Sequence, residues 1–232
     1  MALDKIQEDQ IKMQLKNHMH DNYKTDITLS ESCVLKDFEV HSKVLRPDKM
    51  TALFLARWLY YNNGYYLGKS VLDMGSGSGV QGVVTSLNGA SRNVFSDLSP
   101  AAVKNTQANV NKYKLSNAEV FEGDLFERIK ESFDVIIFNH PFFSDETIEN
   151  LLVSSSMLGG GKLIHRFLDD AKEHLNRDGI IVMPYFHVAG PINDPGVQAL
   201  EHNYTIFEVF RTNLKVGLQK GEMSIYILKL KE

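Results

Sequence analysis

The chain has 232 residues, of which 43% are hydrophobic, 23% charged and 10% aromatic, with a formal net charge of −4. Those figures exclude a disordered, fibrous or collagen-like chain, and the length suffices to bury a full core. The single cysteine, Cys33, excludes an internal disulfide and points to a reducing compartment. No apolar run reaches the ~18 residues of a membrane span, and the polar N-terminal stretch lacks the apolar segment of a signal peptide. The expectation is a cytoplasmic protein with no membrane partner and no general pull toward phosphate backbones.

Residues 3–20 carry Leu3, Ile6, Ile11, Met13, Leu15 and Met19 among charges, an imperfect helical spacing. Ile27–Leu29, Cys33–Leu35 and Phe38–Leu45 read as short extended segments with hairpin alternation. Pro47 and Asp48 open a helix over Lys49–Tyr61, and Asn62-Asn63-Gly64 ends it with residues that tolerate left-handed backbone. Residues 1–50 are expected to form an N-terminal extension packed on a main domain of residues 51–232.

From residue 69 strands and helices alternate. Strands are predicted at Ser70–Met74, Asn93–Asp97, Ala118–Glu122, Phe133–Phe138 and Gly179–Pro184. Helices fall between them at Val80–Leu87, Pro100–Tyr113, a short stretch near Leu125–Lys130, and Lys162–Leu175. Val135-Ile136-Ile137-Phe138 is apolar at consecutive positions, as in a parallel strand covered on both faces. Thr205–Asn213 and Glu222–Leu230 then leave no room for a crossover helix and should pair antiparallel. The fold class is α/β: a doubly wound, mostly parallel seven-stranded sheet ending in an antiparallel hairpin.

The most informative stretch is Asp73-Met74-Gly75-Ser76-Gly77-Ser78-Gly79-Val80, a strand running through close-set glycines into a helix. Glycine lets the backbone turn tightly and approach a ligand. Gly77–Gly82 also fits the dinucleotide pattern G-x-G-x-x-G, with Asp97 twenty residues beyond Gly77, so a nicotinamide enzyme stays in view. Against that reading, Asp73 would repel a pyrophosphate and attract an ammonium group. Asp97 ends the second strand, where its carboxylate suits two ribose hydroxyls, and Ser99-Pro100 opens the next helix as N-cap and first-turn residue. Asp124 follows the third strand, where it could accept from an adenine amine. The three acids stand at strand carboxyl ends, the edge at which doubly wound sheets bind ligands. An amino-acid end, a ribose and an adenine in a row describe S-adenosylmethionine.

With Asp73-x-Gly75-x-Gly77-x-Gly79, Asp97, Asp124 and the final hairpin in place, residues 40–232 resemble the class I S-adenosylmethionine-dependent methyltransferases, which have a Rossmann-like fold. The resemblance implies cofactor contacts from Asp73, Gly75, Ser76, Gly77, Gly79, Asp97, Leu98, Asp124, Leu125 and Asn139, with S-adenosylhomocysteine as product and no metal. Asn139-His140-Pro141-Phe142 resembles the Asn-Pro-Pro-Tyr/Phe signature of enzymes that methylate planar nitrogens, with His140 in place of the first proline. The resemblance implies that the Asn139 side-chain oxygen and the His140 carbonyl accept the two N–H groups of the acceptor, and that Phe142 stacks on its flat face. His140 has a pKa range suited to a general base, but its imidazole is equally able to point away and pack.

Ser156–Leu168 and Arg46–Thr51 are similar to elements of the release factor glutamine methyltransferases, the branch that methylates a protein amide. The expected acceptor is therefore a protein, of the kind of a translation factor, followed by a base amine of a nucleic acid and then a small molecule. Val153–Ser156 and the following glycines are expected to form a lip over the acceptor. His18 and His20 read as surface, and His165, His174, His187 and His202 as scattered. Tyr60, Tyr61, Tyr65 and Tyr66 read as core and rim packing. Cys33 reads as a packed thiol.

Overall fold

A computed structural model describes residues 5, 8, 9, 12, 19–143, 162–216 and 219–231. The predicted helix at 3–20 and the lip at 153–161 lie largely outside the described residues.

The first described elements are β1 (Tyr23–Thr28) and β2 (Val34–Val40), paired antiparallel as a hairpin. The break expected within this region is a bulge. Asp37 takes a left-handed φ of 51°, and its N–H donates to Asp26 Oδ1 at 3.0 Å, while the register shifts between Thr25 and Ile27. The extended segment expected to reach Leu45 stops at Val40. Ile27, Leu29, Leu35, Phe38 and Val40 are buried together with Leu55 and Leu59 of α1 (Met50–Tyr61).

The central sheet has strands β3 (Ser70–Met74), β4 (Arg92–Asp97), β5 (Ala118–Glu122), β6 (Phe133–Phe138), β7 (Leu175–Phe186), β8 (Tyr204–Val216) and β9 (Gln219–Leu230). Their order is β5-β4-β3-β6-β7-β9-β8, parallel from β5 to β7 and antiparallel at β7/β9 and β9/β8. The consecutive apolar residues have their reason in two cores. Leu72, Val94, Ile136 and Ile181 pack on one face of the sheet. Val71, Val135, Ile137 and Val182 pack on the other. The helices between strands are α2 (Val80–Leu87), α3 (Pro100–Lys112), α4 (Lys162–Ala171) and α5 (Pro195–Glu201).

Two further expectations are corrected. The helix expected near Leu125–Lys130 is a run of turns, with Glu127 N–H bonded to Asp124 O and Ile129 N–H to Phe126 O. The helix expected to reach Leu175 ends at Ala171 and passes through one 3₁₀ turn (Lys172–His174) into β7, which begins four residues earlier than Gly179. Ser99 and Pro100 do open α3 as N-cap and first-turn residue; the Ser99 side chain makes no cap bond, and its own N–H donates to Asp97 Oδ1 at 2.8 Å. Helix α5, which the sequence reading lacked, is capped by Asp194, whose side chain accepts from Gly196 N–H. Tyr66 is fully buried and Tyr65 packs on Trp58. No described helix is long and apolar enough to cross a membrane.

Candidate active site

A cleft of about 250 Å³ opens at the carboxyl ends of β3, β4, β5 and β6. Its walls carry Gly75, Ser76, Gly77, Asp97, Leu98, Asp124, Leu125, Asn139 and Pro141, which were scattered over some seventy positions of the sequence. The topology brings them together because four parallel strands end at one edge.

The loop from β3 to α2 uses left-handed backbone at Gly75, Gly77 and Gly79, with φ of 61°, 56° and 81°. A Cβ on Gly77 would meet nothing within 4 Å, so bare backbone faces open space there. The Gly77 N–H donates to Asp97 Oδ2 at 2.8 Å and the Ser99 N–H to Asp97 Oδ1 at 2.8 Å. Burial raises the Asp97 pKa against the pull of these two donors. Thr106 of α3 steadies the loop from outside: its hydroxyl donates to Gly77 O at 3.1 Å and lies 3.0 Å from Ser76 Oγ.

Asp73 is placed differently from the sequence expectation. Its carboxylate is buried below the loop, accepts the Gly82 N–H at 2.9 Å and is not on the cleft wall. Desolvation pushes its pKa up to about 8, with the neighbouring Asp97 charge adding to the rise and the Gly82 donor opposing it. Asp124 is on the wall and pairs with Arg166 of α4 at 2.7 Å. Leu98 is 62% exposed there, an apolar surface beside two acids.

The segment after β6 divides. Asn139 and Pro141 line the cleft, together with Phe138 and Leu163. His140 and Phe142 do not. The His140 ring lies parallel to Tyr185 at 5.8 Å and edge-on to Phe142 at 5.1 Å, with Nε2–H donating to Asn193 O at 2.8 Å. Burial lowers its pKa to about 4, so the imidazole is neutral at physiological pH. Phe142 packs on His140 and Tyr185, which corrects the expectation that its ring faces an acceptor. Asn193 grips this segment twice, since its Nδ2 also donates to Phe142 O at 3.0 Å. No motif in the sequence singles out Asn193 or Tyr185.

The N-terminal segment also reaches the cleft through Lys43, Val44, Leu45 and Pro47. Only Pro47 had a sequence signal, in the Arg46–Thr51 similarity. Arg46 there forks onto Asp48, at 2.7 and 3.1 Å, and lies over the Tyr23 ring. His20 is half-buried and reaches Val44 O at 3.1 Å, so it does more than cover the surface. His165 and His202 are hydrogen-bonded to each other at 2.6 Å, and His202 to Asp169 at 2.8 Å, so these two are not scattered. Among the described residues, no three His, Cys, Asp or Glu side chains are arranged to hold a metal.

The methyltransferase small domain family matches residues 32–190 of the chain. A Methanocaldococcus jannaschii chain named as a protein N5-glutamine methyltransferase is 32% identical over 152 residues, covering 62% of this chain and 72% of that one. The release factor glutamine methyltransferase of Borreliella burgdorferi is 30% identical over 159 residues, 63% of this chain; the match spans about half of that enzyme, 54%. Among solved structures, the ribosomal protein L11 methylase of Lactobacillus delbrueckii superposes with a TM-score of 0.61 at 16% identity, covering 89% of this chain and 99% of that one. With this match and the cleft at the switch edge of the sheet, the chain belongs to the methyltransferase small domain family, whose members depend on S-adenosylmethionine.

Proposed function

We propose that the chain methylates a planar nitrogen, and that its acceptor is a glutamine side-chain amide of a protein. The observation that carries this reading is that Asn139 and Pro141 share one cleft with the glycine loop, Asp97 and Asp124. The two glutamine methyltransferase relatives support the choice of acceptor.

The residues present fit S-adenosylmethionine. Gly77 offers a bare backbone face, and Asp97 and Asp124 offer carboxylates on the same wall as apolar Leu98 and Leu125. Each Asp97 oxygen already accepts one N–H, and a carboxylate oxygen has a second lone pair for a ribose hydroxyl. Asp124 would accept from the adenine amine. When bound, the cofactor supplies a methyl group on a sulfonium leaving group.

An amide nitrogen is a weak nucleophile because its lone pair is delocalised, so the protein's part is to orient it. The Asn139 side-chain oxygen and the His140 carbonyl would accept its two N–H groups and aim the nitrogen along the axis of displacement. Phe138, Pro141 and Leu163 give this end of the cleft apolar sides that exclude water. The His140 imidazole, neutral and already donating to Asn193, keeps the segment rigid where the family has proline, and takes no proton.

Transfer of labelled methyl from S-adenosylmethionine into a cell extract tests the reading, with Asn139→Ala as control. Label that disappears on proteolysis, and is reduced at least 100-fold in the variant, is expected. Nuclease-sensitive label would move the acceptor to a base amine, and label in the small-molecule fraction would remove the protein acceptor altogether.

A further inference from the structure

Among the described residues that line the cleft, the charged side chains are Asp97, Asp124 and Lys43, and Asp124 is already paired with Arg166. Lys43 is exposed and holds a left-handed φ of 67°, a conformation that a residue with a Cβ adopts at a cost and that here turns the chain from the hairpin into the cleft wall.

This turn is tied down from three sides. Asn109 of α3, fully buried, accepts the Glu39 N–H at 3.0 Å and donates to Glu39 O at 2.9 Å and to Ser78 O at 3.0 Å. One side chain thus binds β2 and the glycine loop together. Asn105, one helical turn earlier and also fully buried, accepts the His41 N–H at 2.8 Å and donates to Glu39 O at 2.8 Å. On the far side Val44 is buried, its N–H donates to His41 O at 3.3 Å, and its carbonyl meets His20. These bonds fix the chain on both sides of Lys43, and through Asn109 they tie it to Ser78 of the glycine loop.

We propose that Lys43 is the cation that pairs with the carboxylate of the cofactor's amino-acid end, and that the segment following the β1–β2 hairpin, tied to α3 by Asn105 and to the glycine loop by Asn109, is the element that presents it. The inference rests on the cleft being the cofactor site. The amino-acid end of S-adenosylmethionine carries a carboxylate that needs a positive partner, and Lys43 is the described lining side chain that can supply one.

Calorimetric titration with S-adenosylhomocysteine and with 5′-deoxy-5′-methylthioadenosine, which lacks the amino-acid end, separates the possibilities. Lys43→Gly relieves the left-handed backbone, so it should fold at least as well as the parent, and melting temperature checks that. The variant is expected to bind S-adenosylhomocysteine about two- to fivefold more weakly, the size of a partly exposed ion pair, with methylthioadenosine affinity unchanged. Lys43→Arg should retain most of the affinity, and the gap between parent and Lys43→Gly should narrow at high salt. Equal weakening of both ligands, or weakening of neither, would overturn the assignment. If neither ligand bound the parent protein, the reading of the cleft as the cofactor site would fall instead.

Discussion

Asp73 offers the sharpest test of the electrostatics beneath the cleft. Its carboxyl is buried, has one N–H donor from Gly82, and has its pKa pushed to about 8, against 3.8 in an unfolded chain. Between those two pH values the folded protein keeps a proton that the unfolded chain has released. A carboxyl raised in this way stabilises the fold fully below the unfolded pKa, and that contribution is lost as pH climbs toward the folded one. The slope is a little over 1 kcal/mol per pH unit, so the loss from pH 5 to pH 7 is about 2–3 kcal/mol. Asp73→Asn keeps an oxygen for the Gly82 N–H and cannot ionise. Urea unfolding of both proteins at pH 5, 6 and 7 isolates the effect, because the other titrating groups cancel in the difference. The stability of Asp73→Asn relative to the parent should rise steadily across that range. A constant difference, or a parent that gains on the variant with rising pH, would refute the argument that desolvation dominates at this site.

Gly82→Ala should lower the melting temperature although it adds helix propensity. The new Cβ would lie 2.1 Å from Phe95 Cε1 in a fully buried contact, and overpacking of about 1–3 kcal/mol outweighs a gain of at most about 1 kcal/mol. An unchanged or higher melting temperature would mean that α2 shifts away from β4 at little cost. Asn193→Ala removes the donor to the Phe142 carbonyl and should cost about 1–3 kcal/mol in urea unfolding. It should also reduce methyl incorporation at least tenfold while S-adenosylhomocysteine affinity stays within twofold; equal losses in both would show that the residue only holds the fold. Arg166→Ala breaks a pair with both partners half exposed, so a stability change above about 1 kcal/mol would contradict its surface character.

The parts of this molecule legible in its sequence are those where burial acts on consecutive residues. Ser70–Met74 and Phe133–Phe138 coincide with β3 and β6, and Val80–Leu87 with α2, because a strand covered on both faces and glycines at a turn leave local signatures; Ala118–Glu122 coincides with the edge strand β5, which has no fully buried residue. Leu125–Lys130 misled because its apolar residues, Leu125, Phe126 and Ile129, are buried from a chain of turns with helix-like spacing. Helix α5 escaped notice because seven residues opening on Pro195-Gly196 carry too little periodicity.

For the candidate site, the residues that touch the cleft by ending a strand or following one were visible: Gly75, Gly77, Asp97, Asp124 and Asn139 each stand at or just beyond the carboxyl end of a strand. Side-chain direction was not. Asp73 faces down onto Gly82 and Phe142 back onto Tyr185, choices made by packing partners more than forty residues away in the second case.

Sequence alone determined most of the alternation of strands and helices, the glycine loop, and the placing of Asp97 and Asp124 at strand ends, because each rests on a local signature in the chain. Tertiary structure decided the rest. It set β9 between β7 and β8, made Asn193 the clamp on the segment after β6, and joined the N-terminal hairpin to α3 through Asn105 and to the glycine loop through Asn109. These hydrogen bonds link residues 31 to 70 positions apart, and bonds between such distant partners leave no periodicity or spacing for a sequence to display.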